Sequence, residues 1–239
     1  MTQSVVSVES EILAALGTVV DPELDEPITA LGFVRSVAID PAGVTVHLRL
    51  PTSFCSPNFA YLMASDALDA LRAVPGVGAV SVLLDDHHDS AKINAGLAAD
   101  AGYRGTFGVE AEEDLEELRL TFRRKAHTAA MERAVTALLK NSDLAVEDVH
   151  LVRLGGLPTG THKDALLRRR AALGLSIAPD APVVVDDTGA PIPTDAVPMR
   201  LRFAKAVRIS IEGNAHFCRG LLATRYAGQD LSTQIRSAS

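Results

Sequence analysis

The spacing of apolar positions divides the chain into a regular first part and a less regular second. Val8, Ile12, Leu16 and Val19 recur at helical spacing and predict a helix over residues 7–20, with Ser7 or Ser10 as its cap. Asp21-Pro22 ends it, because a residue before proline avoids the helical region. Residues 33–40 read as a strand and Pro41-Ala42-Gly43 as a turn. Val44, Val46, Leu48 and Leu50 then alternate with Thr45, His47 and Arg49, the period of a strand with one wet face. Leu62, Ala67 or Leu68, and Leu71 mark one side of a helix over 58–74, which Pro75-Gly76 stops, and 77–84 is a short apolar strand. This α-β-β-α-β order suits a three-stranded sheet covered by two helices.

Beyond Asp85-Asp86-His87-His88-Asp89, the glycines at 96, 102, 105 and 108 punctuate the chain, and a boundary is expected there. It gives a first domain over 1–105 and a second over 106–239. Six of residues 110–117 are acidic; the helical spacing of Leu115, Leu118, Phe122, Ala129 and Leu138 then runs to Lys140, past Arg123-Arg124-Lys125. Acids early and bases late suit a helix dipole. Thr161-His162-Lys163-Asp164 reads as a capping box for a helix ending near Gly174 and carrying Arg168-Arg169-Arg170. Prolines 179, 182, 191, 193 and 198 mark an irregular region, with a strand and turn at Val183-Val184-Val185 and Asp187-Thr188-Gly189. From Met199 to Ile211 the odd positions are apolar except Lys205, which predicts one or two strands. His216 to Tyr226 has no assigned type, and the polar tail from Gln229 is expected to be loose. The expected fold class is α+β: a small α-β-β-α-β domain followed by a second mixed α/β region.

Composition narrows the function. Hydrophobic residues make up 47% of 239, ample for packed cores, and the net charge of −7 argues against a general nucleic-acid binder. The charge is uneven: residues 1–105 hold 13 acids and 5 bases, residues 106–239 hold 17 and 18, which suggests two surfaces. Two cysteines make no disulfide framework, and neither a basic leader nor a run of membrane-spanning length is visible. A reducing cytoplasm, free thiols and no membrane partner are expected.

Four groups carry candidate chemistry. Cys55 lies in the loop 51–57, between a strand and a helix. A thiolate is a nucleophile and a soft metal ligand, and the free amides of a helix start favour it. A small buried apolar residue is an equally common role for free cysteine; the loop position tips the reading towards function. Asp21, Glu23, Asp25 and Glu26 place four acids in six residues, enough to hold a hard cation or to orient a partner, although a solvated turn is the commoner use. His87 and His88, among Asp85, Asp86 and Asp89, offer imidazoles to iron, zinc or copper, or form a polar interdomain loop. Glu212, His216 and Cys218 put carboxylate, imidazole and thiolate within seven residues. In a strand-like His-x-Cys both side chains share a face. They are too few for a closed structural site, so a metal there needs Cys55, His87 or a second subunit; a buried cysteine beside a surface histidine is the plainer reading. No P-loop, dinucleotide fingerprint, nucleophile elbow or His-Glu-x-x-His appears.

Asp21-Pro22-Glu23 after a first helix, Leu31-Gly32 before a hairpin, and a Thr-x-x-Cys loop (Thr52 to Cys55) before a second helix resemble the small metal–sulfur, or iron–sulfur, cluster assembly domain of SufT-like and PaaD-like proteins and the eukaryotic cytosolic iron–sulfur targeting factors. The resemblance covers about residues 8–90. It implies a role in maturing iron-containing proteins by passing or positioning iron or a transient iron–sulfur cluster, not by enzymatic turnover. It nominates Cys55 as the reactive thiol, and Asp21 and Glu23 as the matching acidic turn. Other iron–sulfur assembly proteins and a client metalloprotein are the implied partners. Long members of the family resemble proteins encoded beside multicomponent di-iron monooxygenases, which makes the hydroxylase of such an enzyme a candidate client. The sequence departs from the family pattern: Ser56 intervenes before Pro57, the turn continues Leu24-Asp25-Glu26-Pro27, and in place of a cysteine-rich tail there is a long region with Cys218 alone. One subunit cannot supply four thiolates. Cys55 with Cys218 gives two and a dimer four, and mixed ligation with His216, His87, His88 or a carboxylate is equally open. Open edges of a small sheet favour a homodimer. A metal-independent adaptor, gripping its client through the charged second region, is the alternative.

Overall fold

The computed structural model describes residues 5–111 and 115–237. The chain divides into two units, Met1–Leu115 with Asn214–Ser239, and Glu116–Gly213. The boundary expected near 105 therefore falls about ten residues later, and the last part of the chain returns to the first unit.

In the first unit α1 (Val5–Leu16) leads into a two-stranded hairpin of β1 (Val20–Asp21) and β2 (Glu26–Pro27). The helix begins before Ser7 and Ser10, so neither caps it, and it ends before the residue 20 expected. Val19 still joins the core, from an extended segment. β3 (Val34–Asp40) and β4 (Gly43–Leu48) are antiparallel, and α2 (Pro57–Arg72) crosses to β5 (Ala79–Leu84), which runs parallel to β4. The approach of β5 to the β3–β4 turn requires glycine at position 43: a Cβ there would meet the Ala79 carbonyl oxygen at 1.9 Å. Parallel pairing aligns Leu48 with Leu84, so the loops leaving β4 and β5 emerge side by side.

Two expectations are corrected here. The glycine-punctuated stretch is no linker: α3 (Ser90–Ala98) and α4 (Gly102–Phe107) contribute Ile93, Leu97 and Phe107 to the first core, with Phe107 against Tyr61 and Tyr103. Nor is the tail loose. A final strand, Gln234–Ser237, pairs in parallel with β3 and gives the order β5-β4-β3-β6, where β6 is that strand. The cause lies in Arg49, read from alternation as wet but fully buried. Its guanidinium donates to the carbonyls of Gly32 (3.0 Å) and Leu231 (2.6 Å), while the Thr233 hydroxyl donates to Val34 O (3.1 Å). The β3 edge, open in the sequence reading and a reason to expect a dimer, is covered by the chain's own end.

The second unit is helical. α5 (Leu115–Lys140), α6 (Thr161–Ala172) and α7 (Val197–Arg225) enclose Ala130, Met131, Ala134, Leu166, Val183, Val184 and Ala204. The acidic run at 110–117 lies partly outside the described residues. Thr161 is the first residue of α6, not its cap, and no side chain caps that helix. Val183–Val185 form no strand: isolated bridges join Arg153 to Pro182 and Val185 to Pro191. The strands expected over 199–211 are instead helix. The odd-numbered Met199, Phe203 and Ile209 are more than half exposed, whereas Ala204, Ile211, Ala215 and Leu222 are buried at seven- and four-residue spacing. Arg208 clamps α7 to α5 through Glu132 (2.5 Å), and Glu212 joins Arg208 (2.6 Å) and Arg133 (3.2 Å). The α+β class holds for the chain as a whole. Among the described residues no helix is long and apolar enough to cross a membrane.

Candidate functional site

The acidic turn is a folded element, not a solvated loop. Asp21 Oδ1 accepts the N–H groups of Glu23 (2.9 Å) and Leu24 (2.8 Å), and Asp25 takes a positive φ of 55° to close the hairpin. This locks Leu24 into the core and buries the Asp21 carboxyl. Burial, with help from Glu23 and Glu26, raises its pKa from 3.8 to about 6 against the lowering effect of the two N–H donors. Glu23 accepts a hydrogen bond from Asn214 (3.1 Å), and Glu26 is paired with Arg219, both partners on α7.

Cys55 sits one residue before Ser56, the N-cap of α2, and Pro57 opens the helix. Thr52 Oγ1 accepts the Phe54 N–H (3.1 Å) and lies 3.6 Å from the Cys55 sulfur, so its own proton is free to point at that sulfur. The neighbouring β5 loop braces this arrangement. His88 N–H donates to Ser53 O (2.9 Å), and His87 Nε2 lies 2.8 Å from Cys55 O. His87 Nδ1 must be an acceptor, since the Asp89 N–H points at it from 3.1 Å; Nε2 therefore carries the proton and donates to Cys55 O. Both ring nitrogens of the buried His87 are thus engaged by backbone, and its visible task is to hold the thiol loop. His88 stacks on Phe54 at 5.9 Å, and Phe54 is 80% exposed beside the thiol.

The second thiol comes from α7. Ala215, Leu222 and Tyr226 fix this end of the helix in the first core, Arg225 donates to Leu50 O (3.1 Å) and Asp86 O, and Tyr226 donates to Asp86 (3.2 Å). Burial pushes the thiol of the half-buried Cys218 up to about 11, with smaller contributions from Asp21, Cys55 and Glu23. Cys218 thus lies within electrostatic reach of Cys55, Asp21 and Glu23, residues from two other parts of the chain. His216 does not join them: on a helix it points about 200° away from Cys218, and it is exposed. The shared face expected for His216 and Cys218 depended on a strand. Glu212 is held by two arginines. Among the described residues no three His, Cys, Asp or Glu side chains are grouped to hold a metal ion. Thr52 and Phe54 were visible within the Thr-x-x-Cys loop. Asn214, Arg219, Arg225 and Tyr226 left no sequence signal, because their roles arise from the return of α7.

The arrangement defines a class: a small α+β domain with a thiol at a helix entry and a buried acidic turn after its first helix. Residues 9–82 match the family described as "Iron-sulfur cluster assembly protein", and the chain belongs to that family. It is similar to an iron-sulfur cluster carrier protein of Mycobacterium leprae, 36% identical over 96 residues, or 39% of this chain and 24% of the carrier. The corresponding carrier of Mycobacterium tuberculosis is 39% identical over 74 residues, 31% of this chain and 19% of the carrier. The chain thus spans a quarter or less of these relatives' length, 24% and 19%. An uncharacterized protein of Methanocaldococcus jannaschii is 32% identical over 87 residues, 36% of this chain and 90% of that protein. No solved structure matches the chain.

Proposed function

We propose that this protein carries iron or an iron–sulfur cluster transiently and delivers it to a client metalloprotein in the cytoplasm. The observation that supports this most is that Cys55 and Cys218 both pack against the first core, with Cys218 within electrostatic reach of Cys55, Asp21 and Glu23. Two thiols are half the usual ligand set of a cluster, so the remaining ligands come from a second copy or from an accepting protein. A carrier benefits from such incompleteness, since a cargo held by few ligands is readily given up. Thr52 lies in hydrogen-bond reach of the Cys55 sulfur, and His87 keeps the loop in place. Cys218 holds its proton until cargo displaces it. None of these groups forms the base–nucleophile pair of a turnover enzyme. The client is a metalloprotein, and the di-iron hydroxylase implied by the resemblance is the first to test.

Anaerobic transfer to an apo-acceptor tests the reading. Protein loaded with cluster should convert an apo-ferredoxin to its holo form, and Cys55→Ser should abolish the conversion. A second reading, a metal-independent adaptor, is favoured by the exposed Phe54 ring. In that case Cys55→Ser would leave client maturation intact and Phe54→Ala would impair it.

A further inference from the structure

The second unit contains buried nitrogens that nothing among the described residues satisfies. Nε of Arg124, Arg170 and Arg200 and both ring nitrogens of His127 are shielded from solvent without a partner. They come from three helices, and Arg170 and Arg200 lie within electrostatic reach of His127. Arg124, His127 and Thr128 lie one turn apart on the same side of α5, Arg170 is on α6 and Arg200 near the start of α7. His127 is 0% exposed, and the charges that act on it are Arg170, Arg200, Arg169 and Asp187. Arg200 also reaches the Thr128 hydroxyl (3.4 Å) and Asp187 (3.0 Å), so the one carboxylate among these charges is already engaged.

Arg170 is the most telling member. It is 2% exposed, yet its terminal nitrogens are held by the backbone carbonyls of Ser176 (3.0 Å), Pro182 (2.6 Å) and Val183 (3.2 Å). Those bonds orient the guanidinium without neutralising it, and burying an unpaired charge is strongly unfavourable. Buried donors without acceptors are likewise uncommon in folded domains. One ligand answers both deficits: a small anion with several acceptor oxygens. The unit as a whole carries 15 basic against 12 acidic residues, which favours its arrival.

We infer that the second unit binds a small oxyanion, a phosphate-type or carboxylate group, at the Arg124–His127–Arg170–Arg200 cluster. The site lies outside residues 9–82 and makes this unit a ligand-sensing module attached to the carrier domain.

Thermal unfolding and calorimetric titration of the full chain, at fixed ionic strength, test the inference with sodium phosphate, sodium malonate and sodium chloride. Expected is saturable binding of phosphate or malonate, one per chain, with an unfolding midpoint raised by several degrees at about 100-fold excess over Kd. Arg124→Gln and Arg200→Gln, each checked by circular dichroism for retained helix, should weaken binding at least about tenfold, while Lys163→Gln, a cation removed elsewhere in the unit, should not. Binding of phosphate alone or of malonate alone identifies the class. Equal effects of all three salts, undiminished binding in both arginine variants, or no binding of either anion would overturn it; the last would leave ordered water as the partner of these groups.

Discussion

Replacing His87 by asparagine and by glutamine separates the two hydrogen bonds that fix the thiol loop. In the native protein Nε2–H donates to Cys55 O at 2.8 Å and Nδ1 accepts the Asp89 N–H at 3.1 Å. The asparagine amide reaches only as far as Nδ1, so His87→Asn keeps the Asp89 bond and strands the Cys55 carbonyl. Glutamine reaches as far as Nε2, so His87→Gln keeps the Cys55 bond and strands the Asp89 N–H. A neutral hydrogen bond contributes about 1 kcal/mol net, and a buried carbonyl left unmet costs about 1–3 kcal/mol. Both variants should therefore lose about 1–3 kcal/mol in urea unfolding. They should differ in thiol access. Loosening Cys55 by about 1.4 kcal/mol raises the open population about tenfold, so Ellman labelling of Cys55, in a Cys218→Ser background, should accelerate about tenfold in His87→Asn and less than about twofold in His87→Gln. Equal labelling rates in the two variants, or native rates in both, would refute the assignment of His87 as the residue that positions the thiol.

Three further outcomes follow from the burial of charge and from the strand order. Asp21 has a folded pKa near 6 against an ordinary 3.8, so its contribution is intact below 3.8 and lost as pH rises through 6; Asp21→Asn, which still accepts the two backbone N–H groups, should stabilise the protein by about 3 kcal/mol at pH 7 and by nothing at pH 3.5 in denaturant titrations. His127 runs the other way: burial and the neighbouring arginines lower its pKa from 6.5 to about 4, so the stability associated with the neutral ring is present above 6.5 and lost, by about 3 kcal/mol, as pH falls through 4. In His127→Gln the loss of stability between pH 7 and pH 4 should be smaller by that amount. Removing residues 230–239 should expose the β3 edge, and size-exclusion chromatography should show dimers or larger species where the full chain shows fewer.

The first domain was legible because its signals are local and agree. Period-two alternation at 44–50, the helix of 58–74 and the Thr-x-x-Cys loop each dictate one element, and the sheet follows. The Thr-x-x-Cys loop therefore falls at the entry of the second helix and the acidic turn after the first. The α7 region was misread because the alternation from Met199 to Ile211 arises from apolar residues facing solvent, while its buried positions include small residues, Ala204 and Ala215, that carry little hydrophobic signal. Cys218 is a legible candidate partner of Cys55, but the shared face with His216 holds only for a strand; on α7 Cys218 lies instead within electrostatic reach of Asp21, Glu23 and Cys55. Long-range partners such as Arg49 with Leu231, or Arg225 with Asp86, depend on the return of the chain end and have no local signature.

Iron and acid-labile sulfide, quantified with an optical spectrum on anaerobically purified protein, test most directly whether the two thiols hold cargo. Wild type should contain iron with sulfide, Cys55→Ser should lose both, and Cys218→Ser should retain a reduced amount that dissociates faster. Iron without sulfide would point to a metal carrier in place of a cluster carrier. Equal metal content in wild type and both serine variants, or none in any of them, would contradict cargo binding at Cys55 and Cys218.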